Sequence, residues 1–131
     1  MKLAMSNIAW APEERLDAYR LLATAGLRGL EIAPGLFFHG VDGAGLFDGS
    51  EARARLTIGL TRAIDLAGRF GIPNLVFGSP AQRRVPDHMP MSEALDQAAD
   101  VVRAAGDHAV RAGTRIAIEA NPAAYGTNFL T

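Results

Sequence analysis

Apolar residues recur along this chain in two rhythms, and the switch between them divides it into helices and short strands. Three stretches share one grammar: AGLRGLEIAP (25–34), FGIPNLVFGSP (70–80) and AGTRIAIEANP (112–122). In each, a glycine closes a helical pattern, a short apolar run follows, and a proline stands just beyond it. Gly26, Gly71 and Gly113 suit the left-handed position past a helix end. Pro34, Pro80 and Pro122 lack the donor that a strand ladder needs. Ahead of the first glycine, Pro12 suits the first helical position and Leu16, Tyr19, Leu22 and Ala23 recur at three and four. The second helix takes Ser50 as its N-cap and an apolar stripe of Leu56, Leu60, Ala63, Ile64, Ala67 and Phe70. The third starts at Ser92 and buries Leu95, Ala98, Val102, Ala105 and Ala109, leaving Asp96, Asp100, Arg103, Asp107 and Arg111 as a solvated face.

With the initial run KLAMSNIAW, the pattern predicts about four strands, near 3–9, 30–33, 74–78 and 115–119, alternating with three helices. Strands joined by a crossover helix pair in parallel. The fold class is therefore α/β, either a doubly wound sheet or part of a (β/α)8 TIM barrel. A whole barrel takes about 250 residues, so a chain of 131 supplies about half of one. The rhythm breaks once, in the glycine-rich stretch 35–49, GLFFHGVDGAGLFDG, which reads as a long loop or a loop with a short fifth strand at 36–39. Connections of that length are uncommon inside compact domains.

Composition narrows the classes. A content of 49% hydrophobic and 21% charged residues fits a single globular domain spanning 1–131. Thirteen basic against fourteen acidic residues leave a net charge of -1, without the basic footprint that nucleic acid or an anionic membrane requires. The absence of cysteine removes disulfides and thiolate metal sites. The N-terminal run is short, broken by Ser6 and Asn7, and reads as neither signal peptide nor membrane span, so a cytoplasmic location is the default.

Side-chain alternation puts Ile116 and Ile118 on one face of the last strand and Ala117, Glu119 and Asn121 on the other. The bulky pair should meet the helices, leaving Glu119 at the carboxyl end, where both parallel architectures bind ligands. Glu31 repeats the arrangement at the end of the second strand. Two such acids suit a divalent cation or proton exchange, the alternative being strand-end charges reaching water or an arginine. After the third strand, Gly78, Ser79, Arg83 and Arg84 offer backbone donors and positive charge for an anionic or polyhydroxyl ligand. Trp10 ends the first strand and reads as a wall against the apolar face of a sugar, or as core. Gly43 and Gly45 begin like a dinucleotide fingerprint, but Asp48 falls at its third glycine and would repel a pyrophosphate. The same loop lacks a calcium hand's final glutamate, since Arg53 stands there. His39 and His88 are loop candidates for a metal, whereas His108 reads as structural.

GLEIAP, LAGRFGIPNLVFGSP with the arginines after it, and IAIEANPAAYGTNFLT resemble the sugar phosphate isomerase/epimerase group of xylose isomerase-like TIM barrels, most closely over 50–131. The resemblance implies that Glu119 matches the glutamate ending the fifth barrel strand, a ligand of a catalytic divalent metal (Mn, Mg, Co or Zn). The family's other ligands, an aspartate, a histidine and a second glutamate, come from the last three strands, and by this comparison the chain stops before them. The glycine-rich irregularity then reads as an internal deletion and Thr131 as a truncation.

The chemistry so implied moves a proton beside the carbonyl of a chelated sugar or sugar phosphate through an enediolate, with Glu119 on the metal and in proton transfer. Trp10, Glu31, Ser79, Arg83 and Asn121 are the substrate-side candidates. A half-barrel leaves unpaired edges, so a homo-oligomer or a complementing half-barrel is the expected partner. The alternative is a non-catalytic α/β module binding a ligand or a partner. DNA phosphodiester cleavage, known elsewhere in the superfamily, is disfavoured by the charge balance.

Overall fold

A computed structural model describes residues 4–6, 10–27, 29–31 and 42–131. The element order is β1 (Ala4–Ser6), α1 (Arg15–Thr24), β2 (Gly29–Glu31), α2 (Ser50–Phe70), β3 (Leu75–Phe77), α3 (Met91–Ala112) and β4 (Ile116–Ile118), with short 3-10 turns at Pro12–Glu14, Ala81–Arg83 and Ala123–Tyr125. Helix and strand alternate as the hydrophobic rhythm predicts, and the fold is α/β. The fifth strand expected at 36–39, and His39 with it, lie outside the described residues.

The chain forms two compact units, residues 1–36 and 37–131. In the first, β1 and β2 pair in parallel with Met5 opposite Leu30 and Ser6 opposite Glu31. The connecting helix α1 buries none of its residues, and the Trp10 ring meets Tyr19 edge-on at 5.8 Å.

In the second unit β3 and β4 pair in parallel, Leu75 with Ile116, Val76 with Ala117 and Phe77 with Ile118. Backbone bonds extend this ladder one residue each way, from Leu75 N–H to the Arg115 carbonyl (2.8 Å) and from Glu119 N–H to the Phe77 carbonyl (3.2 Å). Phe77 is buried, and Ile116 and Ile118 pack on the same core, whereas Val76 on the opposite face is 42% exposed. The alternation read from the sequence is thus the one the sheet adopts.

The core joins Leu56, Leu60 and Ile64 of α2 to Ala94, Ala98, Ala105 and Ala109 of α3. Of the stripe predicted on α3, Ala98, Ala105 and Ala109 are buried as expected, but the two larger members are not. Leu95 is 49% exposed and Val102 only part-buried, because α3 presents its alanine edge instead. The two helices come close at their C-terminal ends, where a Cβ on Gly68 would stand 2.7 Å from the Ala112 carbonyl oxygen. Phe70, assigned to the α2 stripe, is 69% exposed at the helix end. Ser50 is the first helical residue rather than the N-cap. Gly49, at φ 95°, makes the turn, and its carbonyl accepts the Arg53 N–H at 3.1 Å. The loop at 42–49 contributes to the core: Leu46 and Phe47 are buried, and Phe47 meets Phe129 edge-on at 5.0 Å.

All three described α-helices end in the same joint. The glycines at 26, 71 and 113 have φ of 73°, 63° and 77°. The amide after each reaches back five residues: Leu27 to Leu22, Ile72 to Ala67 and Thr114 to Ala109. This is the Schellman arrangement, which satisfies carbonyls that a helix end would otherwise leave open.

Candidate functional site

Past β3 and β4 the two chain segments carry Gly78-Ser79 and Glu119-Ala120-Asn121. By strand parity Gly78 and Glu119 lie on the Val76–Ala117 face, away from the helices. The Glu119 side chain is exposed and leans over Gly78, where a Cβ would collide with Oε2 and sit 3.2 Å from Cδ. Glycine at 78 is what leaves room for the carboxylate.

Beneath them, Arg83 is fully buried. Its Nη2 donates to Asn121 Oδ1 at 2.5 Å and to the Gly78 carbonyl at 3.4 Å, and Nε donates to the Ser79 carbonyl at 3.4 Å. Its guanidinium carbon stands 5.7 Å from the centre of the Phe77 ring. Asn121, buried in turn, donates Nδ2 to Glu119 Oε2 at 3.0 Å. One atom of the cluster, Arg83 Nη1, is buried without a hydrogen-bond partner. Burial pushes the guanidinium down from its usual range, and the Glu119 charge pulls it part of the way back. An arginine this basic stays protonated regardless.

The C-terminal segment braces the loop that carries Arg83. Asn128 accepts the Val85 N–H through Oδ1 at 2.7 Å and returns Nδ2 to the Val85 carbonyl at 2.9 Å. Thr127, buried, donates to the Arg83 carbonyl at 3.4 Å. The sequence reading missed both residues. The only signal was a polar pair following Gly126, which adopts φ 85°.

The predicted site residues divide accordingly. Glu119, Asn121, Ser79 and Arg83 come together in the second unit, Ser79 through its carbonyl. Trp10 and Glu31 belong to the first unit, and the Glu31 side chain lies outside the described residues. Arg84 is at the surface, 3.7 Å from Asp87. His88 is exposed. His108 bridges the helices through a 2.7 Å contact between Nε2 and Asp65 Oδ1, which agrees with its structural reading. Among the described residues, no three His, Cys, Asp or Glu stand together as a metal would require. On the helix side of the sheet an apolar groove of about 240 Å³ runs between Leu95 and Val102 of α3, Ile118 and Leu130, with Arg83 in its wall. No described helix is long and apolar enough to cross a membrane.

Parallel strands alternating with helices, and polar groups gathered at the carboxyl ends of two paired strands, define a piece of a (β/α) barrel. A family model, the xylose isomerase-like TIM barrel, matches residues 4–130, and the chain belongs to that family. Comparisons with curated proteins and with solved structures gave no match.

Proposed function

We propose that this chain is part of a sugar or sugar phosphate isomerase or epimerase of the divalent-metal-dependent kind, with Glu119 as a metal ligand. One observation carries the reading. Glu119 presents an exposed carboxylate at the carboxyl end of β4, on the side away from the helices, with Oε2 held by Asn121 and room kept by Gly78. Family membership supports it.

The fit to a metal is that of a single donor. Manganese, magnesium, cobalt or zinc would find no group of three His, Asp or Glu among the described residues, and a hard cation held by Glu119 alone keeps most of its waters and binds weakly. The described residues do not make a complete centre. When bound, such an ion polarises the carbonyl and hydroxyl oxygens of a sugar.

The chain's own residues do the rest. Glu119 is the group within reach of a substrate proton on that face. Ser79 and the turn after β3 offer donors to hydroxyl or phosphate oxygens, and Trp10 and Glu31 are the substrate-side candidates of the first unit. A second copy or a complementing half-barrel would supply further donors. The absence of cysteine suits a cytoplasmic setting.

Calorimetric titration with manganese tests the reading. Weak binding by the wild type, lost in Glu119→Gln with the fold intact, supports it; no binding by a folded wild type overturns it. The second reading, a non-catalytic module that binds a ligand or a partner, is favoured by the lack of a three-ligand cluster among the described residues.

A further inference from the structure

We infer that Arg83 is a positioning residue that orients the Glu119 carboxylate through Asn121, rather than a contact for the substrate; the inference rests on the reading of Glu119 as the reactive carboxylate. The chemistry of the three side chains gives the chain of contacts a direction. A guanidinium only donates hydrogen bonds and a carboxylate only accepts them. Arg83 Nη2 at 2.5 Å therefore requires an oxygen on Asn121, and Glu119 Oε2 at 3.0 Å requires its nitrogen. The Asn121 carboxamide serves both neighbours at once, and only in one orientation. With Asn121 so fixed, Glu119 is held by one oxygen over Gly78, where the lack of a side chain admits it.

The state of Arg83 argues for this role over one in stability. A buried guanidinium with Nη1 unpartnered is a poor way to fill a core. Its bonds to the Gly78 and Ser79 carbonyls on one side and to Asn121 on the other tie the two segments that flank the carboxylate to one rigid fork. Full burial also keeps it out of reach of a substrate on the exposed face.

The test uses the full chain and two variants. Arg83→Met cannot donate to Asn121. Asn121→Asp keeps an acceptor for Arg83 but withdraws the donor from Glu119. Both should move the Glu119 carboxyl carbon resonance at constant pH without metal, and both should weaken manganese binding about tenfold or more, the usual effect of losing a group that orients a ligand. Thermal melts establish that each variant is folded. If Arg83→Met fails to fold, Asn121→Asp carries the test alone. A Glu119 resonance unmoved in folded variants overturns the inference. If the wild type binds no manganese, the metal reading falls and the resonance still decides the role of Arg83.

Discussion

Gly68 and Gly106 both stand inside long helices, α2 and α3, and replacing each with alanine puts the same methyl group into two different surroundings. The intrinsic gain is common to both, about 1 kcal/mol per glycine replaced in a helix interior. At Gly106 nothing lies within 4 Å of the added Cβ, so the gain should appear whole. At Gly68 the Cβ would meet the Ala112 carbonyl oxygen at 2.7 Å and the Ala112 Cβ at 3.1 Å. Backbone cannot step aside as a flexible side chain can, so the two helices must part. Overpacking of that kind costs roughly 1–3 kcal/mol, which cancels or outweighs the propensity gain. The two variants should therefore differ by about 1–3 kcal/mol, with Gly106→Ala above the wild type and Gly68→Ala at or below it. Urea titration followed by far-UV circular dichroism measures this, since α2 and α3 have 21 and 22 residues and dominate the helical signal. Midpoints should shift at constant m-value. For a domain of this size each kcal/mol also moves the melting temperature by about 4–8 °C. Equal stabilisation by both substitutions would refute the close approach of α2 to α3 at Gly68.

Three further outcomes are expected. Leu56→Ala removes a fully buried side chain from the centre of the core and should lower stability by about 2–5 kcal/mol in the same urea titration. Thr114→Val leaves the Ile72 carbonyl without the hydroxyl that donates to it at 2.7 Å; denaturation should register a loss of about 1–3 kcal/mol. Gly78→Ala should be nearly neutral in thermal melts, because the added Cβ meets the flexible end of Glu119, yet it should weaken manganese binding as Asn121→Asp does.

The alternation of helix and strand was legible because glycine and proline punctuate it at fixed places, and because Ile116 and Ile118 alternate with Ala117 and Glu119. The position of Glu119 at a strand end, with its carboxylate on the face away from the helices, followed from the same alternation. The buried edge of α3 was legible in part, since Ala98, Ala105 and Ala109 are buried as predicted. Leu95 and Val102 outrank alanine on any hydrophobic reading, and only the separation of two helices decides that alanine is the better fit. Leu46 and Phe47 were hidden by the glycines around them, which imitate an open loop. The position of Arg83 was misleading for a different reason. A charged residue in a loop after a strand reads as a surface group, and its burial depends on Asn121 and on the Thr127–Asn128 brace, about forty residues further along the chain.

The joint at Gly26, Gly71 and Gly113 has a consequence for how such a chain is assembled and revised. Each joint closes within six residues, so its contacts are local in sequence and need no strand pairing to be made. Every helix thus brings its own stop signal and launches the next strand without instruction from distant parts of the chain. A whole helix–strand module can be gained or lost by recombination between such joints, and the modules on either side keep their own starts and stops.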